Sequence, residues 1–102
     1  MKAIEELVDN INDELDDAEK YIDLACDHKE DDRVLADKYY ELSLEETKHM
    51  SVLHDQVVRV INDYKKNNPE VPEGMQTLYE YLHRKYTQRA SRIKSMQDSY
   101  RQ

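Results

Sequence analysis

A chain of 102 residues with one glycine and two prolines forms a single domain, residues 1–102, that has few places to turn. Charged residues make up 37% and hydrophobic residues 38%, a balance that favours a thin all-α bundle with wide solvated faces. No run reaches the roughly 18 apolar residues of a membrane span, and the lone cysteine, Cys26, excludes an internal disulfide. We therefore expect a cytoplasmic protein without a membrane partner. Because thin monomers bury little surface, a homodimer is also expected.

The net charge of −8 is unevenly distributed. Residues 1–32 hold thirteen acids and three bases, whereas residues 74–102 hold two acids and six bases. This asymmetry predicts complementary charge between the first and last helices, within one chain or between subunits. It argues against nucleic-acid binding, because the basic segment has no arginine-rich run. An alternative is that the basic helix docks on an acidic partner through Arg84, Lys85, Arg89, Arg92 and Lys94.

The first predicted helix covers residues 2–28. Its apolar positions alternate in steps of four and three, the period of an amphipathic helix. They are Ile4, Val8, Ile11, Leu15, Ala18, Ile22 and Ala25. A second line, spaced by seven residues, runs beside them through Leu7, Glu14, Tyr21 and His28. Glu14 is therefore the acid of this helix that we expect to face inward.

The second predicted helix runs from about 32 to 66, after a polar break in which Asp32 can act as a cap. Its predicted inward stripe reads Leu35, Tyr39, Leu42, Glu46, His49 and Leu53. Glu46 and His49 are three residues apart, so they lie on one side of the helix. Carboxylates in an apolar setting are normally paired, protonated or bound to metal. The stripe is thus the strongest functional signal in the chain.

The two inward acids are predicted to lie at the same height. With the turn centred near Glu30, Glu14 lies sixteen residues before it and Glu46 sixteen after it. At about 1.5 Å per residue, an antiparallel hairpin brings them level. One Glu and one Glu-x-x-His form half of a di-metal carboxylate site, and a two-fold dimer would supply the other half. Carboxylate and imidazole together suit iron, manganese or zinc.

The third predicted helix covers about 75 to 100, after a loop at 67–74 that contains both prolines. It has its own Glu-x-x-His, Glu80 to His83, which would lie level with roughly residues 54–60 and about 10 Å from Glu46. We expect Glu80 and His83 to be surface or dimer-edge residues rather than ligands.

The segments Glu14–Tyr21 and Tyr39–His49 resemble the ferritin-like superfamily, in particular rubrerythrin-type and encapsulated-ferritin-type half-bundles. The resemblance covers about residues 4–60. It implies that Glu14, Glu46 and His49 bind iron, with Tyr21 and Tyr39 beside the site. It also implies a four-helix bundle completed by homodimerisation, and a ferroxidase-like oxidation of Fe(II) by oxygen or peroxide or another form of iron handling. The resemblance leaves open whether a protein shell recruits the chain.

The competing interpretation is structural. Glu14, Glu46 and His49 could form a metal-free salt-bridge cluster that fixes the register of a bundle. On this interpretation the chain is a non-enzymatic helical interaction module, a phage or host accessory protein. The chain as a whole also resembles short uncharacterised proteins of phages and gut bacteria, a resemblance that implies no function and leaves a virion partner open. No Gly-rich phosphate loop or nucleophile–base set supports a nucleotide-binding or hydrolytic function.

Overall fold

The computed structural model describes residues 2–70 and 73–102, which form three helices and no strand. The prediction of an all-α chain is confirmed, and each predicted helix end lies within two residues of the observed one. Positions 71 and 72 of the predicted loop lie outside the described residues. None of the described helices is both long and apolar enough to cross a membrane. The helices are α1, Lys2–His28, α2, Arg33–Asn67, and α3, Glu73–Tyr100.

The turn between α1 and α2 forms as its sequence predicts. Asp32 is the N-cap of α2, and its side chain accepts a hydrogen bond of 3.1 Å from the backbone N–H of Leu35. This bond satisfies one of the donors that the first turn of a helix leaves unpaired. The four-residue connection folds α2 back along α1 as an antiparallel hairpin.

All seven apolar positions that the sequence pattern places on the inward face of α1 are buried. They form the centre of the core because α2 and α3 both pack on this helix. Partly buried side chains of α2 and α3, among them Met50, Leu53, Ile61 and Leu82, extend the same core towards the end of the molecule that holds the loop.

The predicted inward stripe of α2 is only partly confirmed within one chain, because Tyr39 and Leu53 are partly buried against the core whereas other members are exposed. Leu35 and Leu42 are 36% and 37% exposed, and His49 is also exposed. Two buried residues of α2, Ala36 and Ser43, lie one position after a stripe residue, and the third, Val57, lies four positions after Leu53. The stripe instead flanks the core, on a part of the hairpin surface that stays open to solvent.

Helix α3 is held on the hairpin by polar and aromatic contacts as well as by its apolar side chains. Arg89 forms ion pairs with Asp16 at 2.6 Å and with Glu19 at 2.8 Å, and Arg92 approaches Glu19 at 3.8 Å. The ring of Tyr100 stacks on an α2 tyrosine with centroids 4.8 Å apart. The predicted charge complementarity between the first and last helices is confirmed within one chain. The resulting rod measures 57 × 18 × 17 Å.

Candidate metal centre

Glu14 of α1 and Glu46 and His49 of α2 converge on one point. His49 Nδ1 lies 3.5 Å from Glu14 Oε2 and 3.8 Å from Glu46 Oε2. One potential ligand atom from each residue lies within 4.8 Å of the other two. The predicted convergence of these three side chains is confirmed, because the hairpin brings α1 and α2 into the register that the sequence implied.

The three side chains differ in their contact with solvent. The side chain of Glu46 is 19% exposed, that of Glu14 26% and that of His49 59%. The two carboxylates thus lie between the helices, while the imidazole forms an edge that faces outward. An ion could reach the carboxylates from the side on which His49 lies.

The two carboxylates repel each other, and the titration of Glu46 reflects this. Hydrogen bonding to Glu14 is the largest cause that raises the pKa of Glu46, to about 7, followed by burial and by the negative charge of Glu14. The nearby His49 acts in the opposite direction and lowers it. Near neutral pH the carboxyl of Glu46 therefore exchanges readily between its protonated and ionised forms.

One atom in the cluster has no hydrogen-bond partner. Oε2 of Glu14 is buried, and while Glu46 is ionised it accepts no hydrogen bond from the described part of the chain, although His49 Nδ1 is its neighbour at 3.5 Å. A buried acceptor without a partner is unfavourable by about 1–3 kcal/mol. A proton shared with Glu46 or a bound cation would each satisfy it.

The donor set and its spacing fit a divalent metal ion. Metal–oxygen and metal–nitrogen bonds to such residues are about 2.0–2.2 Å long, so two ligands of one ion lie at most about 4.4 Å apart. The two separations from His49, 3.5 and 3.8 Å, meet this limit, and all three ligand atoms lie within 4.8 Å of one another, so a small closing of the cluster would bring them around one ion. Two carboxylates and a neutral imidazole also bring the negative charge that a divalent cation balances. These three residues could therefore hold one ion per chain.

Aromatic side chains lie on the same face of the hairpin as the cluster. The rings of Tyr21 and Tyr39 stack with centroids 6.2 Å apart, and His28 stacks on Tyr39 at the same distance. Each tyrosine lies seven residues, or about 10 Å along its helix, from Glu14 or Glu46, towards the α1–α2 turn. That they pack beside the site stays a prediction. We call this surface the open face. It comprises Leu7, Glu14, Tyr21 and His28 of α1 and Leu35, Tyr39, Leu42, Glu46, His49 and Leu53 of α2.

The prediction that Glu80 and His83 of the second Glu-x-x-His lie on the surface is confirmed. Glu80 is on the surface, as expected, and accepts a hydrogen bond from Gln76 at 3.1 Å. His83 is exposed but not free, because its Nδ1 lies 3.0 Å from the hydroxyl of Tyr86. His54 of α2 approaches the same hydroxyl at 2.8 Å. His54 directly follows Leu53, the last residue of the predicted stripe, and no spacing within α2 predicts its contact with α3.

A second polar cluster was missed by sequence reasoning. The hydroxyl of Ser43 donates to the backbone carbonyl of Ala18 at 2.7 Å and accepts from the amide of Gln97 at 2.9 Å. Ser43 and Gln97 are both buried, so this network joins the three helices inside the core. A lone serine within a helix gives no signal of such a role.

No protein-family model, curated protein or solved structure matches this chain. The ferritin-like resemblance and the binding of a metal therefore remain predictions.

Proposed function

We propose that this chain is a ferritin-like di-metal carboxylate protein that handles iron at a site shared between two copies. The observation that carries the proposal is the convergence of Glu14, Glu46 and His49, with one buried carboxylate oxygen left without a hydrogen-bond partner. In the metal-free chain a proton shared between Glu46 and Glu14 would satisfy this atom, and a bound cation would take the place of that proton.

The chemistry of the three side chains favours iron, with manganese and zinc as the other suitable ions. The carboxylates of Glu14 and Glu46 would bind and balance the charge of the cation, and binding would displace the proton that Glu46 holds near neutral pH. The imidazole of His49 would add a neutral nitrogen ligand. Three protein ligands leave further positions for water or an oxidant.

A second copy of the chain would complete the site. The open face carries half-exposed leucines, Leu35 and Leu42, on either side of the stacked ring of Tyr39. Because a two-fold interface brings the same patch of both copies together, association through this face would place two Glu14–Glu46–His49 sets side by side. Two hairpins would then form the four helices of the bundle, with α3 on its outer side.

The reaction that suits such a pair is the oxidation of ferrous iron as a substrate. Two Fe(II) ions supply the two electrons that reduce dioxygen to hydrogen peroxide, and two protons are taken up from water. In this reaction the residues of the chain bind and position the ions, and Glu46 accepts or releases a proton at its carboxylate. Retention of iron without turnover would use the same ligands.

The direct test is the metal content of the full chain after anaerobic loading with Fe(II) and desalting, measured together with the solution mass. The wild-type chain should retain about one iron per chain and have the mass of a dimer. Glu46→Ala should lose the iron, because it removes one of three ligands. Glu45→Ala, which changes an exposed acid one residue away, is the matched control and should retain it.

An intact dimer that retains no iron would sink the metal proposal, as would equal iron content in Glu46→Ala and Glu45→Ala. A monomer that retains iron would contradict only the shared site.

The rival function is a helical interaction module in which the cluster is structural, and the two ion pairs of His49 with Glu14 and Glu46 favour it. The double substitution Glu46→Leu, His49→Leu separates the two functions. Apolar replacements of a structural ion pair are often neutral or stabilising, so the rival predicts an intact fold and unchanged partner binding. The metal proposal predicts complete loss of bound iron.

A basic α3 that docks on an acidic partner is less well supported. Arg89 and Arg92 are engaged with acids of α1, and the ammonium group of Lys94 lies 3.9 Å from Asp98. Several of the positive charges on α3 are thus paired with acidic residues of the same chain.

A further inference from the structure

A second group of metal-binding atoms lies between α2 and α3, away from the carboxylate cluster. The hydroxyl of Tyr86 is 2.8 Å from Nδ1 of His54 and 3.0 Å from Nδ1 of His83. The two imidazole rings are themselves only 5.0 Å apart, centroid to centroid. Two nitrogens and one oxygen therefore approach one another from two helices.

In the metal-free chain these three atoms can form a hydrogen-bond network. A phenol has one proton, so the Tyr86 hydroxyl can donate to one imidazole only and must accept from the other. Both contacts are made only if His54 and His83 adopt different tautomers. Burial raises the pKa of Tyr86, which is only 4% exposed, so its phenol stays protonated unless a cation takes the place of the proton.

The same distances suit ligands of one ion. With bonds of about 2.0–2.1 Å, two ligands at right angles around a metal lie roughly 2.8–3.0 Å apart. The Tyr86 contacts of 2.8 and 3.0 Å fall in this range. Imidazole nitrogens with an oxygen in a square or tetragonal arrangement are typical of Cu(II), which also binds such donors more tightly than other first-row divalent ions.

The group is accessible from two sides. One surface cleft of about 270 Å³ is lined by His83 and Tyr86 together with apolar side chains such as Val57 and Leu82. A second cleft, of about 260 Å³, is lined by His54 and Tyr86. An ion and the water molecules that complete its coordination could therefore enter without unfolding of the helices.

We propose that His54, His83 and Tyr86 form a second metal site that binds a divalent transition-metal ion of the Cu(II) class. The two imidazoles bind through Nδ1 and the phenol through its oxygen, and the phenol proton is released to solvent on binding. The bound ion links α2 to α3. This site is independent of Glu14, Glu46 and His49.

The test uses Cu(II) alone, added to the full chain carrying Glu46→Ala and His49→Ala so that the first cluster cannot bind it. We expect one saturable Cu(II) per chain and a visible phenolate-to-copper charge-transfer absorption. Adding Tyr86→Phe, which keeps the ring, should abolish the absorption. It should also weaken binding by about tenfold or more, since even an outer-shell partner of a metal ligand is worth that much. Tyr81→Phe, on an exposed tyrosine of the same helix, is the matched control and should change neither.

Single His54→Ala and His83→Ala changes should each weaken Cu(II) binding by a similar factor, with far-UV circular dichroism used to verify that the chain remains helical. Absence of saturable binding, binding without the absorption, or equal affinity in Tyr86→Phe and Tyr81→Phe would each overturn the proposal. Because the background variant lacks the first cluster, none of these results bears on the iron site.

Discussion

Two polar clusters join α1 to α2 within one helical turn of each other, and they have opposite characters. Around Ser43, the donors and acceptors are matched: the hydroxyl donates to Ala18 and accepts from Gln97, and both side chains are buried. Around Glu46, two carboxylates and an imidazole converge at the edge of the open face, and one buried oxygen lacks a partner. The first cluster is complete as it stands, whereas the second has room for a cation.

This difference teaches how a structural polar group can be told from a binding group. Polar atoms that only fix a fold are satisfied by other protein atoms, since each unsatisfied one costs stability. An atom that the protein alone leaves incomplete has capacity for a ligand. The four predictions below test this distinction, starting with the largest expected effect.

The first prediction is that a redox-inert divalent ion stabilises the folded chain by binding to the Glu46 cluster. With free Mn(II) about 100-fold above its dissociation constant, the free energy of unfolding should rise by about 2.7 kcal/mol, because the ion binds the folded chain. Urea unfolding with and without Mn(II) measures this, and a chelator should reverse it. Glu14→Gln should remove the gain. The same gain in Glu14→Gln would mean that Mn(II) binds elsewhere.

The second prediction concerns the cluster around Ser43. Ser43→Ala removes the acceptor of the buried Gln97 amide and the donor to the Ala18 carbonyl, and should cost about 2 kcal/mol of stability. Equilibrium urea denaturation gives this value. Ser51→Ala, which removes an exposed serine that bonds only to its own helix, is the control and should have little effect. Iron retention should be the same in both variants, and its loss in Ser43→Ala would contradict the separation of the two clusters.

The third prediction is a pH dependence. The pKa of Glu46 in the folded chain, about 7, is above its ordinary value of 4.5. Between these values the folded chain holds a proton that the unfolded chain has lost, so metal-free stability should fall as pH rises through this window and then level off. The size is of the order of 1 kcal/mol, less than the full shift implies, because the cluster is partly open to water.

Glu46→Gln should flatten this part of the stability–pH profile, whereas the exposed neighbour change Glu45→Gln should leave it intact. An unchanged slope in Glu46→Gln would show that the carboxyl pair does not share a proton. Saturating Mn(II) should reverse the slope, since metal binding requires the deprotonated ligands.

The smallest effect is expected at the contact that fixes α3 beside α1. Arg89→Met keeps much of the apolar stem but removes the ion pairs with Asp16 and Glu19, and should cost up to about 1 kcal/mol at low salt and less at high salt. Chemical denaturation at two salt concentrations measures this. Arg59→Met removes a pair with Asp63 inside α2 and should cost about 0.5 kcal/mol or less. Equal costs would mean that the cross-helix pair adds nothing.

The bounds of the helices, and the matching heights of Glu14 and Glu46 along the hairpin, were predictable from the sequence for simple reasons. The seam of α1 is regular and apolar, so its buried face could be read directly. The height of Glu14 relative to Glu46 follows from counting residues on either side of a short turn. Helix counting needs no knowledge of side-chain contacts, which is why the convergence with His49 was correctly predicted.

The core face of α2 could not be read in the same way. Two lines with the same four-and-three spacing run along this helix, one through Leu35 and Leu42 and the other through Ala36 and Ser43. The first is more apolar, so hydrophobic periodicity selects it. The second is the buried line, because small side chains allow α1 and α3 to approach closely and the Ser43 hydroxyl finds partners there. Only tertiary contacts decide between the two.

The elongated outline of the molecule affects how its association would appear in solution. Its Cα radius of gyration, 16.5 Å, exceeds the roughly 13 Å of an equally long compact chain. A rod meets more hydrodynamic friction than a sphere of its mass, so a single chain would elute early in gel filtration and resemble a larger particle. Two rods joined side by side along the open face would double in mass without becoming longer, and the frictional ratio would fall. Sedimentation velocity, which reports mass and friction together, would therefore reveal the pairing that elution position alone would hide.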